Sequence, residues 1–402
     1  MPIFIIGIPI VVCASACLTR LRQVITARYY TRLLIALAIT ALAVLLVVIN
    51  SGSSSDFFVI EDGPRRVKMH VFSKVRIFPQ GGQWFREEAM SPPPWPIPEA
   101  PVVESTDHFL APDERYIVGN ISFTPGQGNI MFQYAALFAL ATRHNATLLI
   151  ASNTLLRRAF RLSATLVRRE LVDELVNSWN RTTLPHCCRY YPEVETLSID
   201  RQTFFAYFQS FRYFHPHFAA EIRREFTFLA DIRAAAEKEL VDITRTFRLN
   251  HRTNQCGRKQ LVYVGVHVRH GIDVRWNLRN MEHGHVSAPF RYFREAMTHF
   301  RRKYGSCVVF VLATDDARWC RDKFAEFTDV FLVQSGTREV DMAVLTLANH
   351  TIMSQGTFSW WIAYLTNGDV LYFNGWPRPH SSMDKMLNKT DYFLPHWTPV
   401  NV

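Results

Sequence analysis

Residues 261–273 read Leu261-Val262-Tyr263-Val264-Gly265-Val266-His267-Val268-Arg269-His270-Gly271-Ile272-Asp273. Leu261 to Val266 are apolar, β-branched or glycine, which predicts a strand buried on both faces, as in a parallel sheet. His267 and Arg269 follow its carboxyl end at period-2 spacing, so both side chains leave the same face. Open α/β sheets bind ligands at that end of their strands. Arginine offers a planar, permanently charged fork suited to phosphate oxygens, and His267 is expected to add a second donor.

Downstream the pattern repeats. The sequence predicts a helix over Pro289 to Tyr304, a strand over Cys307 to Ala313, a helix over Asp316 to Phe327 and a strand over Val330 to Val333. A helix over Glu339 to Ala348, a strand over His350 to Met353, a helix over Phe358 to Thr366 and a closing strand over Val370 to Phe373 follow. Upstream, Tyr116 to Phe123 and Thr147 to Ala151 read as strands around a turn at 124–129 and a helix from Ile130 to Arg143. Helices are expected over 168–178 and 217–248, with a short strand over Thr203 to Phe208 between them. Alternation of this kind predicts an α/β chain with parallel sheets. The expected architecture is two Rossmann-like halves, 113–255 and 256–402, facing each other across a cleft.

The 402 residues are 48% hydrophobic and 20% charged, which is globular composition. The net charge of +10 is spread along the chain, matching an anionic ligand or a membrane surface; no basic-aromatic module points to nucleic acid. Leu33 to Ile49 carry no charge and follow Arg20, Arg22, Arg28 and Arg32, which predicts an uncleaved transmembrane helix with the basic side cytosolic. Residues 1–18 are apolar too, leaving open a second span or an artefact of the start site. Residues 50–112 are expected to form a loosely ordered stem around Pro92-Pro93-Pro94-Trp95-Pro96-Ile97-Pro98. No C-x-x-C spacing occurs among Cys187, Cys188, Cys256, Cys307 and Cys320, so zinc is not expected; disulfides in an oxidising lumen fit, with pairing left open. Asn120, Asn145, Asn180, Asn349 and Asn388 open N-x-S/T acceptors. Asn145, Asn180 and Asn388 are the expected glycan sites, and Asn349 is expected to be buried.

Three loop ends of the second half converge by topology: His267 and Arg269; Asp315 and Asp316; and Ser354, Gly356 and Thr357. Arg269 can neutralise a diphosphate, while Ser354 and the amides opening the next helix can bind its oxygens. Asp315, Asp316 or Asp341 can accept hydrogen bonds from a nucleoside. Each alone has a structural reading, since an Asp after a strand often caps a helix. Together they favour a nucleotide site.

The segments Gly126-Gln127-Gly128-Asn129-Ile130-Met131-Phe132-Gln133-Tyr134-Ala135-Ala136, Tyr207-Phe208-Gln209-Ser210-Phe211-Arg212-Tyr213-Phe214, Gly265-Val266-His267-Val268-Arg269 and Asn349-His350-Thr351-Ile352-Met353-Ser354-Gln355-Gly356-Thr357-Phe358-Ser359-Trp360-Trp361 carry a resemblance. In order and spacing, with Asp315-Asp316-Ala317-Arg318-Trp319-Cys320 between them, they resemble the galactoside α-1,2-fucosyltransferases over roughly residues 115–375. The resemblance implies an inverting glycosyltransferase of the GT-B-like, two-Rossmann type in a single-pass type II Golgi membrane protein. It would use GDP-β-L-fucose without a required metal or other cofactor, and a galactose-terminated glycan as acceptor. Arg269 then resembles the arginine on the donor diphosphate, with His267 beside it; Gly128-Asn129 resembles the turn facing the sugar. Protein or other-glycan fucosylation, or a catalytically weakened carbohydrate-binding relative, stay open.

One departure stands out. The family pattern His-x-Arg-Arg-Gly-Asp becomes His267-Val268-Arg269-His270-Gly271-Ile272-Asp273, so the second arginine is a histidine and an extra residue precedes the aspartate. A histidine weakens the positive charge expected there. Asp273 is available by position as a general base, with an offset that leaves the role unassigned. His283 and His285 are expected to shape the acceptor side or face solvent.

Overall fold

The computed structural model describes residues 92–109, 113–119, 126–251, 256, 260–275 and 277–402. The expected membrane span at 33–49, the earlier apolar segment, most of the stem and Asn120 lie outside them. Among the described residues no helix is long and apolar enough to cross a membrane.

Two six-stranded sheets form the framework. The first has the order β1 (Val102–Val103), β4 (Thr165–Val167), β3 (Thr147–Ala151), β2 (Tyr116–Gly119), β6 (Arg201–Phe205) and β5 (Asn180–Thr183). The second runs β12 (Thr398–Val400), β11 (Val370–Phe373), β10 (His350–Met353), β7 (Val262–Val268), β8 (Val308–Thr314) and β9 (Val330–Leu332). All pairs are parallel. The second sheet grows from β7 outward through β8 and β9, then returns to the other side of β7 with β10. That reversal, between β7 and β10, is the switch point at which doubly wound sheets open a ligand crevice. The first sheet reverses likewise between β2 and β6.

The helices are α1 (Gln127–Arg143), α2 (Arg169–Ser178), α3 (Ala219–Glu225), α4 (Ala230–Asn250), α5 (Ile272–Arg275), α6 (Leu278–His283), α7 (Phe290–Tyr304), α8 (Ala317–Lys323), α9 (Arg338–Thr346), α10 (Thr357–Thr366), α11 (Ser382–Met386) and α12 (Lys389–Tyr392). Helix α1 is alanine-rich and buried along nearly its whole length, the composition of a helix with neighbours on every side. Its Phe132 ring lies 4.4 Å from Trp360 and 5.1 Å from Trp361 of α10, so one aromatic cluster joins the two halves. A smaller apolar cluster, with Leu171, Val172, Leu175 and Val176 of α2, covers another part of the first sheet.

Several sequence-based boundaries are corrected. The stem does not extend to residue 112: β1 pairs with β4, Trp95 is buried, and its Nε1 donates to Arg158 O at 2.8 Å. The single helix expected over 217–248 is two, because the chain turns at 226–229 to bury Phe226 against Phe160 and to pair Leu229 N with Ala159 O at 2.9 Å. Helix α4 packs on α9, and its Thr244 Oγ1 meets Tyr263 OH at 2.7 Å, so it joins the second half instead of the first. The strand Val370–Phe373 does not close the sheet, because β12 pairs beyond it.

Candidate active site

Strand β7 runs through Val268, two residues further than the apolar run implied, so His267 lies inside the strand and is buried. Its Nδ1 is 3.0 Å from Ser359 Oγ, and its ring sits 5.2 Å from Phe358. Burial, then the Arg269 charge, lower its pKa to about 3. The donor expected at this position is therefore an uncharged one: the imidazole is neutral at any working pH and too weak a base for proton abstraction there.

Arg269 is half-buried at the mouth of β7. Its backbone N–H donates to Ser354 Oγ at 3.1 Å and its carbonyl accepts from Gln355 Nε2 at 3.3 Å. Its guanidinium lies over Gly356, where a Cβ would stand 2.5 Å from Nη1. Gly356 has φ 88° and caps α10, so both its conformation and the arginine exclude a side chain. A permanent cation therefore sits at the positive end of a helix. A guanidinium beside the amides that open a helix is an arrangement suited to binding an anion.

Ser354 is buried. Its amide donates to His267 O at 3.3 Å, so it braces β7 against β10 and presents its hydroxyl to the Arg269 backbone. Gly128 and Thr357 meet across the interface of the halves instead of lining an open crevice. A Cβ on Gly128 would fall 2.5 Å from the Thr357 carbonyl carbon. Asn129 Oδ1 accepts from Thr357 Oγ1 at 2.7 Å and from Gln209 Nε2 at 3.0 Å.

At the end of β8, Asp315 Oδ1 accepts the His270 amide at 2.7 Å while the residue stays exposed. Asp316 caps α8, accepting Trp319 N at 3.1 Å, and its Oδ2 is 3.0 Å from His270 Nδ1. Burial pushes the Asp316 carboxyl up, but the His270 hydrogen bond, the Trp319 amide and the charge of Arg275 outweigh it and hold the pKa below the usual value. The His270 ring stacks on Trp319 at 4.0 Å. The residue that departs from the family pattern is thus engaged with Asp316 and an indole. Asp341, in the first turn of α9, accepts Ser335 Oγ at 2.6 Å and holds the β9–α9 loop. Asp273 is the second residue of α5; its side chain lies outside the described ones. His283 Nδ1 lies 2.7 Å from Ser382 Oγ. Among the described residues no trio of His, Cys, Asp or Glu is placed to hold a metal.

The sequence reading missed Ser359, Gln209 and Trp319 as partners of site residues, although all three fall inside the segments quoted above. It also missed Tyr392, whose buried hydroxyl feels the Arg269 charge and for which no local pattern exists. Of the expected glycan sites, Asn145 and Asn180 are exposed. Asn388 caps α12, and its Nδ2, the atom a glycan would take, donates to Asp391 Oδ2 at 2.9 Å. Asn349, expected to be buried, is exposed, with Oδ1 accepting Tyr263 N at 2.8 Å. Cys187 pairs with Cys188, and Cys256 with Cys307.

Comparison with known proteins agrees with this frame. Residues 117–401 match the model of Glycosyl transferase family 11. The chain is 31% identical over 345 residues to galactoside alpha-(1,2)-fucosyltransferase 2 of Gorilla gorilla gorilla, covering 83% of this chain and 92% of that one. It is 33% identical over 299 residues to galactoside alpha-(1,2)-fucosyltransferase 1 of Rattus norvegicus, covering 72% and 75%. Among solved structures, the fucosyltransferase NodZ from Bradyrhizobium aligns at 17% identity and a TM-score of 0.40, over 62% of this chain and 92% of that one. With a family match over most of its length and two relatives above 30% identity, the chain belongs to glycosyl transferase family 11.

Proposed function

We propose that this chain transfers L-fucose from GDP-β-L-fucose to a galactoside hydroxyl, forming an α-1,2 linkage with inversion. The observation that carries the reading is the Arg269 guanidinium lying over the N-terminus of α10 at the switch point between β7 and β10. In this reaction the acceptor oxygen attacks the anomeric carbon from the face opposite the departing GDP. Negative charge grows on the leaving diphosphate. A cation and helix amides already in place stabilise that charge more in the transition state than in the ground state. Ser354 fixes the Arg269 backbone, and neutral His267 supports the strand end beside it. Asp273, four residues past Arg269, is the carboxylate proposed to receive the acceptor proton. The exposed Asp315 is proposed to face the nucleoside, with Asp316 and Asp341 shaping the loops around it.

The two paired cysteine sets suit an oxidising compartment, which supports the further reading of a type II Golgi membrane protein anchored through residues 33–49. The test is turnover by the full chain, supplied with GDP-fucose and methyl β-D-galactoside in buffer containing EDTA. Arg269→Ala is expected to lower kcat by about 10²–10³. Equal turnover by the variant removes the guanidinium from the mechanism. No turnover by the unmutated chain favours a carbohydrate-binding relative.

A further inference from the structure

The second half holds the switch point just described; the first half has its own, between β2 and β6, and Tyr207 stands just past the end of β6. Tyr207 is 37% exposed, one of few large apolar side chains left so among the described residues, while the next residue, Phe208, is buried against Phe204 and Tyr213. Phe208 holds φ at 52°, a left-handed conformation rare for a bulky residue. Strain of this kind persists where surrounding structure enforces it, and it gathers at ligand sites. Here it sends Phe208 inward, turns Tyr207 out, and brings Gln209 back to Asn129, whose Oδ1 also receives Thr357 Oγ1. Thr357 follows Gly356, on which the Arg269 guanidinium rests. Tyr207 is therefore two residues from a hydrogen-bond path that ends at the proposed leaving-group site.

In the second half, α6 carries the exposed Arg279 beside Leu278, which is 72% exposed. The Arg279 charge acts on the Tyr207 phenol from across the halves and on His283 of its own helix. The Tyr207 ring is thus partly covered, which raises its phenol pKa, and partly open to solvent.

We infer that Tyr207 and Arg279 form the acceptor-sugar subsite, the ring stacking on the C–H face of a terminal galactose and the guanidinium donating to its hydroxyls. A galactose ring has one such apolar face, and an aromatic side chain supplies wide apolar contact at low entropic cost. Arginine's several fixed donors suit the polar edge. The inference rests on the fucosyl-transfer reading and assigns its acceptor residues.

The experiment measures separate KM values for methyl β-D-galactoside and GDP-fucose with the full chain and its variants. Tyr207→Ala is expected to raise the acceptor KM about tenfold, with the GDP-fucose KM unchanged; Tyr207→Phe, which keeps the ring, stays near the parent value. Tyr207→Leu keeps bulk without aromatic character and follows the alanine variant, which guards against a folding defect. Arg279→Ala raises the acceptor KM by a smaller factor, about threefold. An unchanged acceptor KM in both Tyr207→Ala and Tyr207→Leu overturns the subsite while leaving the donor reading intact. An equal rise in both KM values overturns it as well. Absence of turnover by the parent chain sinks the galactoside reading and the subsite together.

Discussion

At Asp341 burial and charge oppose a hydrogen bond and win. Burial raises the carboxyl, the Ser335 hydroxyl pulls it back, Glu239 and Glu339 push it up again, and the result is a pKa of about 6. A carboxyl raised on folding binds its proton more tightly in the folded chain. Its cost to stability is absent below the unfolded value of about 3.9 and is fully present above about 6. Asp341→Asn, which keeps an acceptor for Ser335, is expected to raise Tm at about pH 7.5 and to leave it unchanged at about pH 4. The gain is on the order of 2 kcal/mol by linkage. An equal effect at both pH values would show that the proton is not the cause. His267 teaches a related lesson: its place after an apolar run was readable, but its neutrality comes from Ser359, Phe358 and Arg269 closing around it.

Among the elements, the contact of α1 with α10 decides how the halves meet. Gly128 lets the α10 backbone approach, and Trp361 Nε1 donates to Gly128 O at 3.0 Å across the same contact. An added methyl would meet backbone atoms of Thr357 and Phe358 at 2.5 and 2.6 Å, and backbone cannot rotate away. Overpacking typically costs about 1–3 kcal/mol, whereas alanine gains up to about 1 kcal/mol in helix propensity. Gly128→Ala is therefore expected to lower stability by about 1 kcal/mol in urea unfolding, and a more stable variant would refute the contact. Periodicity located α1, α10 and most second-half strands within a few residues. It missed β1, β4, β5 and β12, because strands of two to four residues carry too little pattern to be distinguished from loop.

At the level of the whole molecule, the folded body reaches further toward the N-terminus than composition suggests. A proline-rich stretch ordinarily reads as spacer, yet Trp95 packs into the core and Arg157 Nη2 donates to Pro98 O at 2.6 Å. Truncation before Pro92 keeps Trp95 and β1 and serves as the reference for thermal stability. Truncation before Glu104 removes Trp95 and β1 and is expected to cost about 3 kcal/mol or more, the scale for losing a buried tryptophan. Equal Tm values for the two fragments would return this segment to the stem. The assignment of α4 to the second half has the same origin, since a helix's own sequence says that it has an apolar stripe and not which sheet will cover it.

By itself the sequence determined the alternating α/β pattern, the parallel sheets, the strand end carrying Arg269 and the family to which the chain belongs, because these are written in local periodicity and short contiguous motifs. Only the tertiary structure decided that Arg269 lies over α10, that His267 is uncharged, that His270 turns to Asp316 and Trp319, and that Tyr207 faces outward at the first half's switch point. Each of these depends on groups distant in sequence brought within a few ångströms, where burial and neighbouring charge set what a side chain can do.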